Sequence, residues 1–248
     1  MGYGLIEEAI RWQRRGLSEP WLADSFLADL SPEALRRLER HASLLRGGQS
    51  DCVPERATQR LVSEARAPVA IVLSGAVKVF HSRWDGPSVL VNVAGPGDVL
   101  NAEACLTGAA TITRFAWSGN VQLLEIPREK FREIVGCDEE IQRALAQTLA
   151  RQVQALTIQR GHSGRKVEQR LWAFLVDLGR RHGTQTHDAH ILLSIGLTQA
   201  DLAAAVGASS NSVEAAMRTL RETGKLTTGY TRVILHELPT EDELDKSF

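Results

Sequence analysis

The chain has 248 residues, 43% of them hydrophobic and 24% charged, and its formal net charge is −1. That composition fits a globular protein with real apolar cores, and the near-zero charge excludes a global electrostatic attraction to nucleic acid or membrane, so such binding needs a local basic patch. No apolar run approaches the roughly 18 residues of a membrane helix and no secretory leader is recognisable, so we expect a cytoplasmic protein with no membrane partner.

Two helices are predicted at the start of the chain. Gly4 to Arg15 form the first, with apolar side chains on broadly one side. The second is indicated by "LSPEALRRLERHASLL", where Ser31 is an N-cap candidate and Pro32 occupies the first helical position. The predicted apolar face of this helix consists of Leu35, Leu38 and Leu45.

The periodicity changes from helical to strand-like between about Thr58 and Ile126. Runs such as "VAIVLSGAVKVF" are interrupted by turn signals at Ser74–Gly75, at Asp85–Gly86 and in the stretch "AGPGDV". A closing strand, "VQLLEI", stops at Pro127. Many short strands with glycine-rich corners predict a small β-sandwich or jelly-roll barrel.

The three cysteines, Cys52, Cys105 and Cys137, are widely spaced and form no C-x-x-C pair. An odd number of isolated thiols gives no support to a disulfide framework or a four-thiolate cluster. We expect them to be buried or idle.

A long helix is predicted by "DEEIQRALAQTLARQVQALTIQR", which opens with acidic residues suited to the positive end of a helix. Its apolar stripe is narrow, which favours a helix–helix seam between two copies over simple packing on the barrel. The predicted interface residues are Ile141, Leu145, Leu149, Val153 and Leu156.

After a hinge at "GHSG", the sequence predicts one more amphipathic helix, a strand or loop over Thr186 to Ser194, and then two short helices. Thr198 and Asp201 form a predicted capping box for the first of these. Gly207 suits the turn because it can take positive φ. Ser209 is the natural N-cap of the second helix, with Asn211 and Glu214 as a competing capping box.

This pattern is typical of a winged helix-turn-helix, with "KLTTGYTRVILHE" as the wing, and the alternative is a merely compact helical subdomain. Between Arg165 and Arg232 there are nine basic residues against six acidic ones, which favours DNA. The predicted DNA-binding residues are Thr198, Gln199, Ser209, Ser210, Asn211, Ser212, Glu214, Arg218, Arg221, Lys225 and Arg232.

With these pieces in order, the sequence resembles the Crp/Fnr family over about residues 26–236, through stretches such as "GPGDV", "VQLLEIPREKFREIV" and "LTQADLAAAVGASSNSVEAAMRTLRETGKL". The resemblance implies an α+β protein that binds a two-fold-related operator in double-stranded DNA as a homodimer, with RNA polymerase as a further candidate partner. It implies an N-terminal helical extension (1–25), a cyclic-nucleotide-binding-like β-roll (26–136), a dimerisation helix with its hinge (137–162), a winged helix-turn-helix (163–236) and an acidic tail (237–248).

The effector pocket departs from the pattern of family members that bind cyclic AMP. Asn101 and Ala102 stand where those members carry Gly-Glu, with Glu103 one place late, and Leu156-Thr157 replace the base-reading Thr-Ser. An ungapped alignment puts Thr111 and Ile112 on the phosphate-binding Arg-Ser pair, whereas a three-residue gap would bring in Arg114. The candidate effector-pocket residues are therefore Asn101, Glu103, Thr111, Thr113, Arg114, Leu156 and Thr157.

An anionic ligand needs fixed positive charge or clustered donors, so these departures disfavour a cyclic nucleotide, without excluding one. The resemblance does not imply a cofactor for this chain. The N-terminal cysteine cluster of the oxygen-sensing members is absent, and only isolated histidines could act as ligands to a haem. No metal site and no enzyme motif are recognised. The alternatives to a DNA-binding regulator not gated by cyclic AMP are a ligand-responsive regulator and a protein-interaction module with a vestigial DNA-binding domain.

Overall fold

The computed structural model describes residues 21–47, 67–81, 88–108, 113–117, 119–229, 232–240 and 243. The predicted first helix and the predicted turn at Asp85–Gly86 lie outside the described residues. The described residues form two compact units that divide within the long helix after Ala155. The first unit holds the residues up to that point other than 88–91, and the second holds 88–91 and everything from Leu156 onward.

The elements up to the end of the long helix alternate short strands with helices. They are α1 (Pro32–Glu39), β1 (Ser43–Gly47), β2 (Val69–Ser74), β3 (Val77–His81), β4 (Val89–Ala94), β5 (Val99–Leu100), α2 (Ala102–Thr107), β6 (Thr113–Trp117), β7 (Val121–Ile126), α3 (Arg128–Cys137) and the long helix α4 (Glu139–Gly161).

These strands form two sheets, ordered β1-β7-β2-β5 and β4-β3-β6. The predicted turn at Ser74–Gly75 is confirmed, since Gly75 ends β2 with a φ of 82° and a Cβ there would meet the Asn120 carbonyl oxygen at 2.5 Å. Strand β2 is buried on both faces: Val72 joins Phe115 and Trp117 in the core between the sheets, while its neighbours point to a second core beneath the helices. The jelly-roll-like α+β architecture is confirmed.

Two local predictions in this unit are wrong. The second predicted helix begins as expected, with the Ala34 amide donating to Ser31 Oγ at 3.3 Å, but it ends at Glu39. Leu45 lies instead in β1, opposite Leu123 of β7, because the ladder with β7 outweighs a helical pattern in the sequence. The region predicted to be all strands also contains a helix, α2, which starts directly after Asn101.

The long helix spans 23 residues, or about 35 Å. Ile141 and Leu145 are 0% and 2% exposed within the core beneath the helices, so the prediction that they face a second copy is wrong. Residues four apart differ in direction by about 40° around the helix axis, because an α-helix has 3.6 residues per turn. A stripe with this spacing therefore turns gradually away from the domain toward the end of the helix. Leu149 is half-buried, whereas Val153 and Leu156 are 64% and 46% exposed.

Beyond the hinge, the described residues of the second unit form helices that accompany a four-stranded sheet. Its elements are a 3₁₀ turn (His162–Gly164), α5 (Val167–His182), β8 (Thr184–Gln185), β9 (Ile191–Leu193), α6 (Gln199–Val206), α7 (Ser210–Glu222), β10 (Leu226–Gly229) and β11 (Arg232–Leu235). The sheet order is β10-β11-β9-β8, so β9 pairs with β11 and extends the predicted wing hairpin. Strand β9 lies within 186–194, which the sequence predicts as strand or loop.

Candidate nucleic-acid interface

The caps of α6 and α7 set the geometry of the helix-turn-helix. The Asp201 amide donates to Thr198 Oγ1 at 3.1 Å, and the Thr198 amide donates back to Asp201 Oδ2 at 2.9 Å, so the predicted capping box is confirmed. Gly207 then takes a φ of 62° in the turn. Ser209 caps α7 by accepting from the Ser212 amide at 3.2 Å, which decides against the competing capping box that begins at Asn211.

Helix α7 presents a polar face to solvent because its apolar side chains are buried. Val213, Met217 and Leu220 are at most 6% exposed and lie on the inward side. The outward side carries small polar residues at the start of the helix, Ala215 one turn later and cations toward its end. The exposed members of the predicted DNA-binding set are Thr198, Gln199, Ser209, Ser210, Asn211, Ser212, Glu214, Arg218, Arg221 and Arg232.

Two of the exposed cations have contacts within the unit. Arg218 lies 3.9 Å from the Glu214 carboxylate, and both side chains are more than half exposed, so water screens this pair strongly. Arg221 donates to Thr228 Oγ1 at 3.3 Å and so links α7 to the wing strand β10. Neither contact buries a guanidinium group, and the side chains of Arg218 and Arg221 both remain accessible to a phosphate.

Lys225 differs from the other predicted contacts. Its ammonium lies 5.5 Å from the centroid of the Trp172 ring on α5, and the side chain is half-buried. A cation over an indole face is a stabilising contact within the domain. Lys225 therefore belongs to the packing of the winged-helix unit as well as to its surface.

Sequence reasoning missed two hydroxyls of the wing. Thr227 and Thr228 are exposed on β10, next to the basic end of α7. Threonine hydroxyls can donate to phosphate oxygens. The signal available in the sequence was the polar pair "TT", which directly follows Leu226 in the predicted wing.

The candidate effector residues are placed very differently from one another. Asn101 is 3% exposed, has a φ of 64°, and donates from Nδ2 to the Pro68 carbonyl at 3.2 Å, so its amide helps to hold the start of α2. Glu103 is exposed on α2, and Thr113 is buried on β6. Leu156 and Thr157 are exposed on the long helix. Thr111 lies outside the described residues.

Arg114 does not point into the core between the sheets. Strand β6 directs Phe115 and Trp117 into that core, so the intervening Arg114 faces the opposite side by the alternation of a strand. There its guanidinium lies 4.6 Å from the centroid of the Phe80 ring on β3, and Arg114 is exposed. The gapped alignment that would give Arg114 the phosphate-binding role is therefore wrong.

Within the described residues, no helix is long and apolar enough to cross a membrane.

Comparison with known proteins supports both units separately. A cyclic nucleotide-binding domain model matches residues 56–136, and a Crp-like helix-turn-helix domain model matches residues 169–240. Over 160 residues the sequence is 27% identical to a CRP-like cAMP-activated global transcriptional regulator of Mycobacterium tuberculosis (strain CDC 1551 / Oshkosh), which covers 62% of this chain and 69% of that protein.

Solved structures give the same architecture at low identity. The c-di-GMP responsive global regulator CLP of Xanthomonas campestris matches with a TM-score of 0.68 at 18% identity, covering 84% of this chain and all of that one. FixK2 of Bradyrhizobium japonicum matches with a TM-score of 0.65 at 19% identity, covering 83% and 96% of the two chains. These likenesses concern the fold.

Proposed function

The chain belongs to the Crp/Fnr family of transcription regulators, and from this premise we propose that it binds a two-fold-related DNA operator as a homodimer, without the usual gating by cyclic AMP. The observation that carries the proposal is the face of α7, where ten of the eleven predicted contacts in α7 and its surroundings are exposed while the apolar side is buried. In a helix-turn-helix, the start of the second helix reaches base edges in the major groove.

The residues on that face suggest which bases are read. Asn211 at the start of α7 can pair bidentately with adenine, and Ala215 one turn later can contact a thymine methyl group. Arginine at these positions would read guanine, so this chain should prefer an operator unlike the G-containing half-site of the best-known members. The exposed hydroxyl of Ser210 is a second donor or acceptor for a base edge.

The exposed arginines suit the DNA backbone. Arg218, Arg221 and Arg232 lie toward the end of α7 and on the wing, and Thr198 and Gln199 lie at the start of α6. The first helix of this motif crosses the phosphate backbone, and its N-terminal amides favour an anion. We assign these residues to phosphate contacts that position α7 without reading sequence.

The second copy should pack along the exposed stripe of the long helix. Residues at Ala146, Leu149, Val153, Leu156 and Arg160 are spaced alternately by three and four, which is the period of a two-helix seam. Ala146 is small enough to let two helices approach closely. The seam proposed here keeps three of the originally predicted residues, Leu149, Val153 and Leu156.

An effector other than cyclic AMP, or none, fits the first unit best. Asn101 is engaged with backbone, Arg114 faces away from the core between the sheets, and aromatic side chains fill that core. The M. tuberculosis relative is named as cAMP-activated, which makes cyclic AMP the rival to test. A ligand that binds only the folded protein raises its melting temperature, so a thermal-shift series with cyclic mononucleotides and cyclic dinucleotides separates the two.

Selection of binding sites from a random DNA pool, followed by fluorescence anisotropy on the selected site, tests the proposal directly. We expect a palindromic site bound with an affinity that falls steeply with salt, as phosphate contacts demand. Asn211→Ala should weaken binding about tenfold and relax one base position. Selection of no site, with salt-insensitive retention of DNA, would favour a protein-interaction module with a vestigial DNA-binding domain.

A further inference from the structure

The segment before α1, residues 22–31, contacts the turn "GPGD" at residues 95–98; we call this segment the strap. The Leu22 amide donates to the Pro96 carbonyl at 3.0 Å, and the Leu27 amide donates to the Gly97 carbonyl at 3.1 Å. Gly97 has a φ of 93°, and a Cβ there would come within 2.1 Å of Ser25 Oγ. The two backbones are therefore in direct contact, and glycine is required for it.

The strap is also fastened to the long helix at two points. Near the start of the helix, Glu140 accepts from the Ser31 amide at 2.6 Å and from Ser31 Oγ at 3.0 Å. Farther along, Arg151 donates from one nitrogen to the Asp24 carbonyl at 3.0 Å and to Asp29 Oδ2 at 2.8 Å. The two anchors are 11 residues apart, which is about 17 Å along the helix axis.

Both anchors stabilise charged side chains. The hydrogen bonds from Ser31 hold the pKa of Glu140 below its ordinary value. The hydrogen bond to Asp29 raises the pKa of Arg151. Between the anchors, Phe26 packs edge-on to Phe131 with ring centroids 6.5 Å apart, in the core that also contains Ile141 and Leu145. The strap is thus joined to the first half of the long helix by two anchors and by an apolar core that both share.

Among the described residues, Arg151 is the last side chain on this face of the helix that forms a hydrogen bond with the strap. Ala155 and Ile158, the next residues on roughly the same face, are exposed. At its other side, the strap reaches a turn that is tied to β2, since the Gly97 amide donates to the Val72 carbonyl at 2.8 Å. The same turn leads through β5 to Asn101, the position aligned with the family's effector site.

We propose that the strap couples the 95–98 turn to the long helix, with Arg151 as the positioning residue that sets where the helix leaves the domain. Displacement of the turn loosens the Asp29–Arg151 ion pair, and loss of that pair frees the turn. Its consequence for operator binding rests on the proposed function. The coupling itself does not, because it is a property of the first unit alone.

Hydrogen–deuterium exchange of the full chain tests the coupling. In Asp29→Asn and in Arg151→Gln, we expect amides of 148–155 and of 94–99 to exchange about three- to tenfold faster, the range of a partly exposed charged hydrogen bond. Strand β7 should not change. Lys130→Gln is the matched control, because it removes a 2.7 Å ion pair with Glu133 elsewhere in the unit and should alter neither segment.

Faster exchange in the helix alone, or in neither segment, would overturn the coupling. If a single variant destabilises the whole unit, the amides of β7 will exchange faster too. In that case the double variant Asp29→Arg with Arg151→Asp, which reverses the charges of the ion pair, tests the coupling. Recovery of slow exchange in both segments supports the proposal, and failure to recover either refutes it. None of these results depends on DNA binding, so the proposed function can fail while the coupling stands.

Discussion

Replacing Leu156 by alanine should weaken the proposed dimer about 30-fold. The side chain is 46% exposed in the single chain. Burying a whole leucine is worth about 1.5–3 kcal/mol, so covering this exposed portion contributes about 1 kcal/mol. A symmetric seam contains the residue twice, which gives about 2 kcal/mol for the dimer and hence the 30-fold change in Kd. Sedimentation-velocity titration of the wild-type and variant chains measures the shift.

Ile158→Ala is the matched control for this experiment. Ile158 is 49% exposed, nearly the same as Leu156, but it lies about 200° away around the same helix. Its truncation removes a similar apolar area from a face that the seam does not use. Equal weakening by both variants, or weakening by Ile158→Ala alone, would refute the proposed seam.

Three further outcomes follow from particular contacts. Arg218→Gln should weaken binding to all DNA sequences alike and shrink the slope of log affinity against log salt by about one, measured by anisotropy. Ser209→Ala should lower the free energy of unfolding by about 1 kcal/mol in urea, because the Ser212 amide loses its cap. Glu140 has a lowered folded-state pKa, chiefly from the Ser31 amide, so its contribution is complete above the ordinary carboxyl pKa and is lost as the pH falls through the lowered value. Glu140→Gln should therefore lower the melting temperature at neutral pH, leave it nearly unchanged at a pH below the lowered pKa, and so flatten the acid limb of the profile.

The helix-turn-helix could be predicted from the sequence in detail because its determinants are local. A capping box needs only residues three apart, as at Thr198 and Asp201, and a left-handed turn needs only a glycine such as Gly207. The choice between overlapping caps was harder. Ser209 and Asn211 are both good N-caps, and the helix start is decided by how Val213 and Leu220 reach the core.

The sequence predicted the fold class of the β-roll but not the boundaries of its helices and strands. Those boundaries depend on contacts with residues far away in the sequence. Leu45 continues a helical pattern after Leu38, but it is drawn into β1 by pairing with β7, about 80 residues later. Helix α2 is only six residues long, and its N-cap residue, Asn101, forms no side-chain capping hydrogen bond. A single sequence carries no signal for the pairing of β1 with β7 or for the position of α2.

The long helix shows why periodicity alone could not assign its interface. An apolar stripe in a sequence shows which side chains favour burial, but not what buries them. Four residues of the predicted stripe are Ile141, Leu145, Val153 and Leu156. Only the fold shows that the first two are covered by their own domain and the last two are not. The effector site has the same difficulty in a strand: a shift of one residue exchanges the two faces of β6, so whether Arg114 or its neighbour lines the pocket depends on register. The observed pairing of Arg114 with Phe80 places its guanidinium on the face of β6 away from the core between the sheets, and this placement supports the proposal that the chain is not gated by cyclic AMP.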